Sequence, residues 1–420
     1  ACCPRLHDFE FKSLSTYGEL ADCNLADWPL SLDDMAPWYD IAEDMLGVTG
    51  THGIERLPPS ANFKVMEAAA RKVGYSDIDT YNMAINSAPR NGRPACLQMG
   101  FCNSGCAINA KWTTLFNHIP QAEATDYYDL RPDSMVTRIV TDDNGRASAV
   151  RYRDKDGAEH EQKARVVCVA ANVVETTRLL LNSATERFSN GLANSSDQVG
   201  RNYMFHNSKA AVALSHEPNP TIFQKTISIN DWYFGDADYD YPMGNIQMTG
   251  KTRGAIMKGY APLETFLMPN WSMDEIAAHT IDFWLTTEDL PDPNNRVTID
   301  AASHIHLNYT ANNQTSAARL WGRLQGILDK LYLKKHLVER QVYIKNPMGI
   351  AAVGHQAGTC RFGTDPAHSV LDVNCKAHEL DNLYVVDTSF FPSIGAVNPS
   401  LTAIANAIRV GSHLRERLAV

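Results

Sequence analysis

From residue 134 to 160 apolar and polar side chains alternate, and the alternation breaks at Asn144-Gly145 and at Asp156-Gly157. Strand-like alternation around two tight-turn dipeptides predicts a β-meander. The texture then changes. "ARVVCVAA", residues 164–171, is a short continuous apolar run of the kind found in strands buried on both faces. "VVETTRLLLNS" follows directly with leucines at helical spacing, and a strand running into a helix is the unit of an α/β fold with a parallel sheet. The unit returns near the end. "LDNLYVVDTS" is a second buried strand closing on Asp387, and "NPSLTAIANAIRVGSHLRERL" predicts a long amphipathic helix with Asn398 as its cap and Pro399 in its first turn.

Earlier in the chain, residues 28–50 carry Pro37 behind Asp33-Asp34 and end an apolar pattern in glycine, which predicts a capped helix. A second helix is expected over 61–73. Between roughly 206 and 345 strand-like pieces rich in Tyr, Trp and Thr precede a helix expected around 316–333. This stretch reads as a separate α+β lobe inserted into the α/β part. No internal repeat, low-complexity tract or flexible linker interrupts the pattern.

A chain of 420 residues with 44% hydrophobic content can bury more than one core. Its net charge of −10, with no basic run, argues against a nucleic-acid partner. No run reaches the roughly 18 consecutive apolar residues that span a bilayer, so the chain is expected to have no transmembrane segment of its own. "ACCPRLHDFEF" shows no readable targeting signal. Nine cysteines exclude complete pairing within one chain, and Cys23, Cys168, Cys360 and Cys375 read as buried free thiols. Cys96, Cys102 and Cys106 differ, because "CLQMGFCNSGC" spaces them C-x5-C-x3-C. A helix through its second half would put Cys102 and Cys106 on one face. Three thiolates are one short of a structural zinc site, so the triplet reads as cluster ligands, as two buried thiols plus one exposed, or as one disulfide with a leftover.

"GHQAGTCRFG", residues 354–363, holds His355 among glycines, where a lone histidine is a loop residue or a base. A wider resemblance bears on that choice. The stretch from Gly354 through "TDPAHSVLDVNCKAHELDNLYVVDTSFFPSIGAVNPSLTAIANAIRV" resembles the C-terminal part of the glucose-methanol-choline (GMC) oxidoreductases. "DWPLSLDDMAPWYDIAEDMLGVTG", "ARVVCVAANVVETTRLLLNS", "VGRNYMFH" and "EDLPDPNNRVTID" resemble further segments of that family, in order and over essentially the whole chain. These are FAD enzymes that oxidise alcohols. The resemblance implies an α/β FAD-binding parallel-sheet domain, incomplete at its N-terminus, with an inserted α+β substrate-binding lobe. It divides the chain into a helical segment (1–60), an FAD-binding segment with the cysteine loop (61–205), the lobe (206–345) and a C-terminal FAD-binding and catalytic segment (346–420).

Carried over by residue, the resemblance makes His355 the base and Asn398 its partner, and lays Asp387, Asn398, Pro399 and Ser400 against the flavin. Val136 falls at the adenine end, and Ala171 stands where relatives have a glycine beside the cofactor. The chemistry agrees. Removing hydride from an alcohol carbon requires the hydroxyl proton to leave too, and a neutral imidazole accepts it near pH 7. Asn398 at a helix N-terminus would orient the substrate oxygen, while the helix dipole stabilises negative charge on reduced flavin. Trp271, Trp284 and Tyr260 are candidates for stacking on a sugar ring, or core aromatics.

The G-x-G-x-x-G turn that holds a dinucleotide pyrophosphate is absent, since "GVTGTHG" at 47–53 has the wrong spacing. The family's pattern is therefore entered part-way, with at least one βαβ unit of about 30 residues expected upstream. Supply by another chain and a non-functional remnant are the alternatives. The cysteine spacing resembles that of the multi-subunit gluconate and sugar dehydrogenases of the family. That implies a 3Fe-4S cluster, a cytochrome c and small-subunit partner, and association with a membrane or the periplasm through those subunits. The physical need is a relay between a two-electron flavin and a one-electron haem. An alcohol or sugar dehydrogenase is the leading expectation; an oxygen-using oxidase and a non-catalytic scaffold are the others.

Overall fold

The computed structural model describes residues 2–100, 102, 105–223, 226–260, 265–331 and 354–419. Helix α1 (Leu32–Leu46) starts in a capping box, in which Ser31 Oγ accepts the Asp34 N–H at 3.2 Å and the Asp34 carboxylate accepts the Ser31 N–H at 2.8 Å. It stops at Gly47, whose φ of 69° is left-handed. Met35, Tyr39, Ala42 and Leu46 form its buried stripe. Helix α2 (Ala61–Val73), capped by Ser60, ends likewise at Gly74. Strand β1 (Ile78–Thr80) follows.

The expected meander is present as β2 (Met135–Thr141), β3 (Ala147–Arg153) and β4 (Glu159–Lys163), antiparallel in that order. Gly145 and Gly157 take positive φ at its two turns. The run 164–171 gives only a three-residue strand, β5 (Val167–Val169), leading into α3 (Val173–Asn182). Val167 and Val169 are buried, but Cys168 between them is exposed. Burial on both faces is therefore not met, because no described residue covers the face that carries Cys168.

The next strands are β6 (Met204–Phe205), β7 (Asn207–Leu214), β8 (Ile227–Ile229), β9 (Asn245–Met248) and β10 (Thr280–Thr287). A hairpin follows, β11 (Arg296–Ile299) with β12 (Ile305–Asn308), then helix α4 (Gln314–Lys330). Short strands β13 (Gln356–Ala357) and β14 (Leu383–Val385) precede helix α5 (Ser400–Leu418). β14 pairs in parallel with β5, so the ends of both strands point the same way. One core gathers around this pair, α1 and α5, where the buried Tyr39 hydroxyl meets Thr402 Oγ1 at 2.7 Å.

The lobe is an antiparallel sheet in the order β1-β8-β9-β10-β7. Its strands alternate strictly. Ile227, Ile229, Ile246, Met248, Ile281, Phe283 and Leu285 face α2 and α4 in a second core. The residues between them, among them Ser228, Asn245, Gln247, Asp282, Trp284 and Thr286, turn to the opposite face. α2 and β1 precede position 206 yet join this lobe, and the β11–β12 hairpin packs instead with Val173, Tyr203 and Phe205. The expected end of the lobe at 345 lies outside the described residues.

Gly244 lets β9 approach β10. At φ 89° a Cβ there would stand 1.9 Å from the Thr286 carbonyl oxygen. Gly244→Ala is expected to destabilise the protein by about 2 kcal/mol or more, from backbone strain plus a displaced strand. Denaturant unfolding checks this, and an unchanged midpoint would show that the strand yields freely.

Candidate active site

β13 pairs antiparallel with β6 in a register that matches Gln356 to Phe205 and Ala357 to Met204. The next pair outward is His355 and His206, and the two imidazoles meet Nδ1 to Nδ1 at 3.0 Å. From the turn before α5, Asn398 brings its Nδ2 to 3.2 Å from His355 Nε2. Trp284, on the polar face of the lobe sheet, stacks on the His355 ring with centroids 5.5 Å apart and planes 10° from parallel. Gln247, its cross-strand neighbour, donates from Nε2 to Asn398 Oδ1 at 3.4 Å and to Asn245 Oδ1 at 2.9 Å. His206 is fully buried, which pushes its pKa down to about 4 and keeps it neutral near pH 7.

Asn398 does not cap α5. The helix begins at Ser400 with Pro399 in the cap position and no side chain bonded to its first-turn amides. The Asn398 side chain has turned to His355 and Gln247 instead, leaving α5 with uncapped N–H groups at its positive end.

Asp387 follows β14, and its carboxylate accepts from the Ser389 amide and from Thr176 Oγ1 at the start of α3. Ala170, Ala171 and Asn172, beyond the parallel neighbour β5, are exposed. Ala171 N–H also bonds Thr176 Oγ1, at 3.3 Å. A shelf of small residues beyond the carboxyl ends of parallel strands is where open α/β sheets take up their ligands. With the uncapped turn of α5, this shelf fits a flavin. Val136 on β2 is half-buried against the same core.

Two family models, both described as GMC oxidoreductase, match residues 25–208 and 289–407. The 6'''-hydroxyparomomycin C oxidase of Streptomyces lividus is 30% identical over 96% of this chain and 75% of its own length. The chain is a GMC oxidoreductase. The fructose dehydrogenase large subunit of Gluconobacter japonicus is similar too, at 29% identity over 95% of this chain and 76% of that protein. The gluconate 2-dehydrogenase flavoprotein of Pantoea cypripedii is 24% identical over 90% and 70%. The solved structure of pyridoxine 4-oxidase from Mesorbium loti shares the fold, with a TM-score of 0.60 at 16% identity over 99% of this chain and 82% of that one. A formate oxidase from Aspergillus oryzae RIB40 reaches a TM-score of 0.67 at 13% identity over the same shares. This GMC oxidoreductase is thus an FAD-dependent enzyme of the kind that acts on alcohols and sugars.

The remaining site candidates of the GMC oxidoreductase separate. Trp284 reaches the histidine, Trp271 is 73% exposed on the helix Asn270–Ala278, and the Tyr260 side chain lies outside the described residues. No helix runs through Cys96, Cys102 and Cys106 among the described residues, so the one-face argument does not hold. Burial raises the Cys96 and Cys102 thiols. Burial also works to raise Cys106, but the amides of Lys111, Ile108 and Ala110 outweigh it and bring that thiol below its usual value. The three sulfurs are not drawn together as one ion would draw them; among the described residues only Asp40, Glu43 and His52 are, and Arg5 already pairs with both carboxylates. None of the nine cysteines forms a disulfide; Cys360 and Cys375 are buried as expected, Cys23 is half-buried and Cys168 exposed.

Three groups beneath the turn that carries Asn398 had no sequence signal of their own beyond their positions. His206 closes "VGRNYMFH", Glu288 opens "EDLPDPNNRVTID", and Glu10 lies far upstream. Glu288 accepts the Gly395 amide at 2.9 Å, while Glu10 accepts the Ala396 amide at 3.2 Å and the Tyr233 hydroxyl. Burial, helped by the nearby Glu10 charge, lifts Glu288 from 4.5 to about 8. The folded protein thus holds a proton that an unfolded chain releases near 4.5, so stability falls as pH rises from about 4.5 to 8. Glu288→Gln is expected to flatten that fall and raise Tm at pH 8, leaving pH 4.5 little changed; parallel Tm curves from pH 4.5 to 8 would contradict it.

Proposed function

We propose that this GMC oxidoreductase is a dehydrogenase for the CH–OH group of a sugar, sugar acid or other alcohol, and that His355 and Asn398 carry the chemistry. The observation that carries this reading is the placement of His355 between Asn398 and His206 under the Trp284 ring. His355 Nε2 takes the hydroxyl proton, and Asn398 Nδ2, beside the same nitrogen, donates to the oxygen as charge builds on it. Trp284 closes one face of the imidazole, holding it in plane and excluding water. Bound flavin supplies the two-electron acceptor for the hydride leaving the same carbon. Asp387, Ala171, Pro399, Ser400 and the first turn of α5 would hold its ring system, with Val136 toward the adenine end.

The similarity to a fructose dehydrogenase large subunit and a gluconate 2-dehydrogenase flavoprotein supports electron transfer to a partner subunit, while the equal similarity to 6'''-hydroxyparomomycin C oxidase supports an oxygen-using oxidase as the second reading. Cys96, Cys102 and Cys106 are the residues that would hold a 3Fe-4S cluster. Cys106 already accepts amide hydrogen bonds, as ligating sulfurs do. A cluster there would pass electrons one at a time to a cytochrome c.

Replacing His355 by Ala should slow flavin reduction by about 10²–10⁴-fold while substrate affinity changes far less. Stopped-flow bleaching of the flavin measures both, and unchanged reduction removes His355 from the mechanism. The holoenzyme should also contain about three irons per chain with broad visible absorbance, both lost in Cys106→Ser. Iron-free, fully active protein would leave the triplet as ordinary thiols.

A further inference from the structure

The polar groups around His355 can be assigned one by one, starting from an atom with no choice. The Ala396 carbonyl oxygen can only accept, and Asn245 Nδ2 lies 3.4 Å from it. That fixes the Asn245 amide, whose Oδ1 therefore accepts from Gln247 Nε2 at 2.9 Å. The same Gln247 nitrogen faces the Tyr81 hydroxyl, which can turn to suit it, at 3.3 Å and Asn398 Oδ1 at 3.4 Å, so Asn398 turns its oxygen to Gln247 and presents its Nδ2 to the histidine. Turning the Asn398 amide over would set two NH₂ groups against each other. A donor at 3.2 Å leaves His355 Nε2 as the acceptor nitrogen, and a neutral imidazole then carries its proton on Nδ1.

That proton points at His206 Nδ1, 3.0 Å away. Two Nδ1–H groups cannot share so short a contact, so His206 Nδ1 accepts and its own proton sits on Nε2. The backbone of Ile394 and Gly395 lies beside the His206 ring and acts to raise its basicity, as carbonyl acceptors of a ring N–H do, so that side favours a proton on Nε2. Both rings are held in place. The β6–β13 register puts them opposite one another, His206 is fully buried, and Trp284 stacks on His355.

We propose that His206 is a positioning residue which, with the Ala396–Asn245–Gln247–Asn398 chain, locks the His355 proton on Nδ1 and keeps Nε2 as the acceptor of the substrate hydroxyl proton. The proposal rests on reading His355 as the base. A carboxylate at the position of His206 would stabilise the imidazolium and hold on to the transferred proton. A neutral imidazole orients the base without that charge, so His355 can release the proton after each turnover. In balance, the alcohol O–H bond breaks, an Nε2–H bond forms, and the Nδ1–H···Nδ1 hydrogen bond to His206 is kept throughout.

The test uses the holoenzyme labelled with ¹⁵N-histidine, with the His355 signals identified by their loss in His355→Gln. The resting enzyme should show His355 protonated at Nδ1 and bare at Nε2; the reverse tautomer overturns the proposal whatever the variants do. In His206→Leu the His355 signals should move toward a tautomer mixture, and flavin reduction should slow by about 10–10²-fold, the order of loss seen when the partner that fixes the tautomer of a metal-bound histidine is removed. His206→Asn, whose Oδ1 can accept the same proton, should restore the single tautomer and most of the rate. Equal losses in both variants with His355 still protonated at Nδ1 would mean that His206 only fills space. The tautomer is read without turnover, so it stands apart from the His355→Ala experiment: failure there removes the use made of Nε2 but leaves the tautomer lock, whereas a wrong tautomer sinks the lock with the base assignment intact.

Discussion

Side chains on a β-strand alternate between its two faces, and in the lobe this single constraint decides where the chemistry can be. α2 and α4 cover the face bearing Ile246, Met248, Phe283 and Leu285. Asn245, Gln247 and Trp284 then have to face the other way, toward the turn that carries Asn398. The apolar layer is thus what aims the polar one. A one-residue slip of β9 would bury Gln247 among leucines, and one of β10 would point Phe283 at His355.

The second determinant is depth. His206, Glu288 and Asn245 are all almost wholly removed from solvent, and each has its hydrogen-bonding role set by a neighbour it cannot leave. Burial lowers the basicity of His206 and raises that of Glu288, so both are uncharged near neutral pH. Around the turn holding Asn398, His206 and Glu288 thus add no charge to that of Glu10, which accepts the Ala396 amide. Uncharged neighbours can orient amide and imidazole dipoles without adding a fixed field of their own.

Much of the frame was legible in the sequence because its signals are local. The Asn-Gly and Asp-Gly turns announce the meander, and Gly47 marks the end of α1. Asn398 misled for the same reason: Asn-Pro-Ser before an amphipathic run reads as a cap, and only the folded lobe offers that amide better partners. His206 was not legible at all, since β6 and β13 are two residues each and too short to show a period. Nor was β1, which reaches its place beside β8 only through tertiary packing. The strand at 164–171 was overread, because an apolar run tells that one side is covered and not that both are.

The β5–β14 pairing joins Val167 to Leu383, with β7 to β10 and α4 of the lobe looped out between them. Closing so long a loop is entropically expensive when the intervening chain is disordered and far less so once it is compact. The lobe's sheet consists of antiparallel neighbours and is covered by helices of its own, so it can condense first and bring the two distant strands within reach. Order of assembly follows from connectivity: the lobe sheet bearing Trp284 is expected to form before β5 and β14 pair, and His206 and His355 come together last.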